Sequence, residues 1–319
     1  MNRKIHNLKL GDFAKLFGTK TSDIHKTCRK IIAKYDFHYR KVSVDEQTEI
    51  IHEINKKISR NNLFHAGKDS KPVWQKMWTE RLENLIANDL EIDALVPKYL
   101  IKDSSKYVIY NRLFSSFIRP TDHNFELNWN QVYKHWLFEK YFKDTENIYE
   151  FGCGSGINIP VLVGLFPKKN LHFLDWTKQS KNIVELLAKK YGWNLSGYVF
   201  DMLHPKHDFA VKKNSAFLAF ASLEQLGTAY KPFVEFAIQK KVSVFVTVDT
   251  IKELYDPSQP LEHLAVKYTS KREYLSGYLN YLRQLESQKR IEILKAQRVF
   301  LGNMFHDGYS YIVWRPTNT

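Results

Sequence analysis

Between Glu150 and Gly156 the chain reads Glu-Phe-Gly-Cys-Gly-Ser-Gly, an acidic residue followed by three glycines at alternate positions. Glycines so spaced let a backbone turn sharply and approach a ligand with no side chain in the way. The apolar run Ile148 to Phe151 leads into this loop and a helix-like stretch leads out of it. The crevice at such a strand end is where α/β sheets take nucleoside-bearing ligands. Two more carboxylates stand in matching places. Asp175 ends the next apolar run, 19 residues beyond Gly156, and Asp201 ends the run after that. A carboxylate is a two-oxygen acceptor suited to a diol. Trp176 and Met202, which follow the two aspartates, offer a flat ring face and an apolar neighbour.

A dinucleotide fold would need glycine or alanine where Ile157 stands, and it leaves Gly156 unexplained. Glu150 beside the loop would also repel a pyrophosphate, whereas it suits a cationic ligand. The pattern resembles that of class I, Rossmann-like S-adenosylmethionine-dependent methyltransferases. That resemblance implies S-adenosylmethionine as cofactor, held by Glu150, Gly152, Gly154 and Gly156, with the ribose hydroxyls on Asp175, the adenine face on Trp176, and the adenine amino group on Asp201 beside Met202. From about residue 71 onward the chain is similar to bacterial sugar O-methyltransferases of surface polysaccharides, which implies a small-molecule or glycan acceptor.

Methyl transfer to a hydroxyl asks the protein to align the acceptor and remove its proton. Three groups beyond the later strands are candidates for the base: Glu224 in Ser222-Leu223-Glu224-Gln225, Asp249 after the fifth strand, and His306 near the terminal hairpin. Glu224 and Asp249 have the better position, His306 the better intrinsic pKa. The Asn- or Asp-Pro-Pro-aromatic tetrad of amino-methylating nucleic-acid enzymes is missing at Ser222 to Gln225. Asp201, His204 and His207 have a metal-like spacing, but Pro205 interrupts it and no metal is expected.

The elements that must position these residues follow a strand-helix alternation from residue 146. Strands are expected at Ile148 to Phe151, Leu171 to Leu174, Ser196 to Phe200, Ala216 to Ala221 and Val242 to Val248, two helices within 261–290, and a closing hairpin from Ile291 to Phe300 and Tyr309 to Trp314 around Phe305 to Gly308. The fold class is therefore α/β: a doubly wound, seven-stranded Rossmann-like sheet over 146–319. Residues 61–145 read as a helical cap, with Trp74, Met77, Trp78, Leu82 and Leu85 on one helix and Val132, Trp136, Leu137, Tyr141 and Phe142 on another.

Residues 1–60 read as a small unit of their own. Phe13, Leu16 and Phe17 mark a helix ended by Gly18, Ile24, Cys28, Ile31, Ile32 and Tyr35 a second, and Ser43 with Glu46 caps a third. The order resembles MerR- and excisionase-type winged helix-turn-helix modules, in which Lys20, Lys26, Arg29, Lys30 and Lys34 would decorate the recognition helix. The alternative is an appendage for protein contact or dimerisation.

The formal charge is +14, and residues 1–44 hold 11 Lys or Arg against 3 Asp, a surplus of 8 that leaves 6 for the other 275 residues. Nucleic acid or an acidic protein is a natural partner for such an N-terminus, and a merely lysine-rich soluble surface is the other reading. Cys28 and Cys153 are the only cysteines, which excludes a disulfide framework and a cysteine zinc site within one chain. No apolar stretch is long enough to span a bilayer or to act as a secretory segment, so a cytoplasmic location is expected. Three functions are open at this level: an O-methyltransferase of small molecules or glycans active without residues 1–60, a nucleic-acid or protein methyltransferase that needs them, and a DNA-binding regulator whose methyltransferase fold senses a ligand.

Overall fold

The structure is a computed structural model that describes residues 4–60, 63–67, 70–97, 100 and 108–317. Arg3, counted in the basic N-terminus, and the boundary at residue 61 lie outside the described residues. The chain begins with β1 (Ile5–Asn7), α1 (Leu10–Phe17), α2 (Lys26–Lys34), β2 (His38–Lys41) and α3 (Val44–Ile58). Next come α4 (Lys71–Ala87), β3 (Asn111–Leu113), β4 (Ser116–Pro120) and α5 (Phe125–Phe142). The alternating part consists of β5 (Asn147–Phe151), α6 (Ile159–Leu165), β6 (Asn170–Asp175), α7 (Lys178–Tyr191), β7 (Leu195–Val199), β8 (Ser215–Phe220), α8 (Lys231–Gln239) and β9 (Val244–Asp249). The chain closes with α9 (Pro260–Lys271), α10 (Tyr278–Ser287), β10 (Ile291–Gln297), β11 (Leu301–Asn303) and β12 (Ser310–Pro316).

The main sheet has the order β10-β12-β9-β8-β5-β6-β7, parallel from β9 through β7, with β12 antiparallel to both its neighbours. Its central strands are covered on both faces, and every residue of β5 and β9 is buried, which is why they read as unbroken apolar runs. Alternate side chains go to two cores. Ile148, Leu218 and Val246 join the side of α5, α6 and α7, while Tyr149, Phe217 and Phe245 join the side of α8 and α10. The chain leaves β5 towards β6 on one flank and returns to β8 on the other, so the crevice opens above β5 and β8.

Several local expectations hold. Gly18 ends α1 in the left-handed conformation, at φ 64°. Ser43 and Glu46 form the reciprocal cap of α3, the Glu46 amide donating to Ser43 Oγ at 3.2 Å and the Ser43 amide to Glu46 Oε2 at 2.8 Å. The stretch expected to be a helical cap differs. It contains a β-hairpin, β3–β4, whose two turn residues Phe114 and Ser115 both have positive φ, 48° and 57°. That is the geometry usually signalled by Asn-Gly, and Phe-Ser hides it.

β2 pairs with β4, and β3 with β11, so a second sheet of order β1-β2-β4-β3-β11 runs from the N-terminus to the closing segment. Accordingly β10 and β12 pair as the expected terminal hairpin, but the connection between them includes β11 and is no tight turn. The first 60 residues are packed into the main core, with Phe17 stacked on Trp136 at 4.7 Å and near Trp129 and Tyr133. Cutting them away would strip that face of α5, so the deletion that sequence reasoning offers as an activity test is a stability test instead.

Candidate active site

The crevice above β5 and β8 is a cleft of about 1180 Å³ including its open mouth. Its floor is the loop after β5, its walls the ends of β6, β7 and β8, and α4 and α5 lie over it. Gly152, Gly154 and Gly156 have φ of 72°, 53° and 76°. Each is also closely packed: a Cβ on Gly152 would stand 2.5 Å from Ser222 Cβ, one on Gly154 2.7 Å from the Trp78 ring, and one on Gly156 2.8 Å from Ile159. Gly152 and Gly154 line the cleft, whereas Gly156 shapes the turn beneath it. Trp78 stacks on Trp74 at 5.5 Å, and Trp74 Nε1 donates to Gln225 Oε1 at 3.0 Å, which ties α4 across the cleft to the segment after β8.

Glu150 is 2% exposed. Asn158 Nδ2 donates to its Oε1 at 2.7 Å, and Oε2 has no hydrogen-bond partner among the described residues. Burial pushes its carboxyl up to about 7. Above it, α5 presents Asn130 and Lys134, one turn apart on the same face. Lys134 is 1% exposed, and its ammonium sits 5.3 Å over the Phe220 ring in the field of Glu150. Burial pulls this lysine down to about 8. Asn130 Oδ1, Ser155 Oγ and Asn158 Oδ1 are likewise buried and unpartnered. Such atoms cost free energy unless something in the cleft bonds to them.

Asp175 is buried and already accepts from the Gly154 amide at 3.0 Å and from the Thr177 amide and hydroxyl at 3.0 and 2.9 Å. It therefore pins the glycine loop to β6 and keeps lone pairs over for a ligand. Asp201 and Trp176 line the same wall. Lys71, from the first turn of α4, reaches both: its Nζ is 3.0 Å from Asp201 Oδ2 and 5.4 Å from the centre of the Trp176 ring. Met202 completes that wall.

On the far side, Asp249 is fully buried and accepts the amides of Leu223 and Glu224, both at 3.2 Å. It braces the turn after β8. Glu224 accepts from Gln225 Nε2 at 3.2 Å, and burial raises its carboxyl to about 7. His306 lies behind, its Nδ1 2.8 Å from Thr250 Oγ1, and burial lowers it to about 4, so the ring is neutral at pH 7. The structure thus brings Glu224 and Asp249 together and sets His306 next to Asp249 through Thr250. None of the three lines the cleft itself; Gln225 does, and Glu224 is the candidate hydrogen-bonded to it.

Sequence reasoning misses Lys71, Asn130, Lys134 and Asn158. One signal was available: Asn130 and Lys134 stand four residues apart and so share a face of α5. Among the described residues no His, Cys, Asp or Glu cluster has metal-site geometry, and none of the helices is long and apolar enough to cross a membrane.

No family model matches the chain, and no curated protein matches it in sequence. Among solved structures it is similar to a SAM-dependent methyltransferase from Aquifex aeolicus, at 14% identity over 58% of this chain and 89% of that one, with a TM-score of 0.42. It is also similar to the pyocyanin biosynthetic protein PhzM, at 13% identity over 60% of this chain and 57% of that one, TM-score 0.45. A third is the methyltransferase domain of a bacterial Hen1, at 11% identity over 59% and 96%, TM-score 0.43. The strand order of the main sheet, with one antiparallel strand, β12, set between β9 and β10, makes the fold of this chain a doubly wound, Rossmann-like α/β fold.

Proposed function

We propose that this protein is an S-adenosylmethionine-dependent methyltransferase that methylates a hydroxyl of a small molecule or glycan. The observation that carries the reading is the cleft at the switch point of the sheet, where a three-glycine loop meets buried acceptors, Glu150 Oε2, Ser155 Oγ and Asn158 Oδ1, that have no hydrogen-bond partner among the described residues. When bound, the cofactor supplies an electrophilic methyl group on a sulfonium. The residues fit it. Glu150 and Asn158 receive an ammonium, Asp175 a ribose diol, Asp201 an exocyclic amine, and Trp176 the face of a purine. Gly152 and Gly154 keep the floor free of side chains.

Glu224 is the base of this proposal: it stands directly behind Gln225, which lines the cleft, and takes the acceptor's proton when a bound acceptor displaces that side chain. A carboxylate held near 7 both accepts a proton at neutral pH and returns it readily. Asp249 sets its position by holding its amide. The cover formed by α4, with Trp74 and Trp78 over the cleft, favours an acceptor that can slip beneath it over a duplex. The exposed face of α2, with Lys26, Arg29, Lys30 and Lys34, supports a second reading in which a nucleic acid is the acceptor or a docking partner.

Calorimetry with S-adenosylhomocysteine and with NADH tests the cofactor: binding of the first and not the second is expected, and the reverse overturns the reading. Transfer of labelled methyl to hydroxylated acceptors tests the reaction. Glu224→Gln should lower kcat by about 10²-fold or more while leaving S-adenosylhomocysteine affinity unchanged. Steep loss of activity with rising salt, cured by no change of acceptor, would instead favour the nucleic-acid reading.

A further inference from the structure

Lys134 and Glu150 form an arrangement that a protein interior rarely keeps without a use. Both are almost fully buried, at 1% and 2% exposure, both line the cleft, and they feel each other's charge without closing into an ion pair. Among the described residues no hydrogen bond or ion pair reaches the Lys134 ammonium, which sits over the Phe220 ring face. Glu150 Oε2 is also unpartnered. A buried charge that is neither paired nor solvated is costly, and the cost falls when a ligand brings the missing partner.

A positive and a negative group held apart in one cleft are complementary to a ligand that carries both charges, reversed. An α-amino acid group is such a ligand. Asn130 Oδ1 and Asn158 Oδ1, buried and unpartnered beside the two charges, accept the remaining ammonium protons. The four residues come from two elements, α5 and the β5–α6 segment, and both are fixed by packing.

Resting on the cofactor reading above, we propose that Lys134 is the anchor for the α-carboxylate of the cofactor's amino acid end, and that Lys134 with Glu150 makes the cleft selective for the complete zwitterion over analogues without the carboxylate. Lys134 is a specificity-determining residue here, and α5 contributes to the cofactor site as well as covering it. The selection separates methyl donors from decarboxylated sulfonium compounds, which keep the ammonium and the nucleoside but bring a second cation towards Lys134.

The test is binding, measured by calorimetry on the full chain with three ligands. S-Adenosylhomocysteine has ammonium and carboxylate, S-adenosyl-3-thiopropylamine has only the ammonium, and 5′-methylthioadenosine has neither. The unmodified protein should prefer the first over the second by at least about tenfold, as expected for a buried charge-assisted contact. Lys134→Met should erase that preference, weakening the first ligand and leaving the other two as tight or tighter, while Lys134→Arg should retain it. An equal loss of all three in Lys134→Met marks a structural role and overturns the inference. So does an unmodified protein that does not distinguish the first two ligands, a result that needs no variant to fold. Were none of the three to bind the unmodified protein, the cofactor reading would fall and this inference with it.

Discussion

Two groups of charged side chains are buried to the same depth and treated in opposite ways. One lies between the second sheet and α9: Arg112 Nε donates to Asp307 Oδ1 at 3.0 Å, Arg298 Nη2 to Asp307 Oδ2 at 2.9 Å, and Arg298 Nη1 to Glu262 Oε2 at 2.5 Å. Ser115 Oγ and the Asp256 amide also donate to Glu262. The other lies in the cleft, where Glu150, Asn130, Asn158 and Ser155 keep buried oxygens without partners and Lys134 has no hydrogen bond or ion pair among the described residues. Charges that meet opposite charges hold elements together, here β3, α9 and the segment before β12, although Arg112 Nη2 has no hydrogen-bond partner among the described residues. Charges left open are held in place for something else. Burial is common to both groups; the presence or absence of partners separates architecture from binding.

The largest expected effect probes the paired group. Asp307→Ala leaves two buried guanidinium groups short of a counterion and should cost about 3–5 kcal/mol, read by urea denaturation. Lys134→Met, which removes a buried charge that no described group pairs, should cost no stability and raise it instead. Similar losses in the two variants would break the contrast.

Next is the pH response of the open group. Burial holds the Glu150 carboxyl at about 7, above its unfolded value, so the folded state binds its proton more tightly. The resulting stability is fully present below the unfolded value near 4.5 and is lost as pH rises through about 7. Glu150→Gln removes this dependence. The variant should match the unmodified protein at pH 4.5 and exceed it by up to about 3 kcal/mol at pH 8, while binding S-adenosylhomocysteine more weakly. Parallel stability-pH curves would mean that the carboxyl is solvated after all.

Gly152→Ala ranks third. It places a side chain at φ 72° and a Cβ 2.5 Å from Ser222 Cβ. The conformation alone costs about 1–2 kcal/mol, and displacement of Ser222 should narrow the cleft. A melting shift together with at least a tenfold loss of S-adenosylhomocysteine affinity is expected. A normal affinity would take the loop out of the binding site.

The parallel sheet was legible in the sequence because its central strands are buried on both faces and read as apolar runs, and the N-terminal helices because recognisable residues bound them, Gly18 after α1 and Ser43 with Glu46 before α3. The walls of the cleft were legible for a related reason: Glu150, Asp175 and Asp201 each end an apolar run. What stayed hidden comes from far along the chain or breaks local rules. β11 looks like part of a turn, and only its pairing with β3 makes it a strand. Phe114-Ser115 is no turn signature. Lys134 reads as one of several polar residues on α5 until the fold turns its face to the cleft, and Lys71 meets Asp201 across 130 positions.

That last pair sharpens the contrast at its margin, since Lys71 and Asp201 are partnered inside the cleft. Both side chains are about one-third exposed, at 35% and 31%, so the bond between them is screened and worth less than about 1 kcal/mol. It engages the very carboxylate and ring assigned to the adenine, and a bond so weak is one a ligand can displace. Lys71→Met should therefore leave melting nearly unchanged and tighten S-adenosylhomocysteine a few-fold. Moderate salt, which weakens the ion pair, should tighten the ligand on the unmodified protein and have less effect on the variant. If Lys71→Met instead weakened the ligand, Lys71 would belong to the cofactor site in its own right, and α4 would act as part of the binding surface and not as a cover that yields to it.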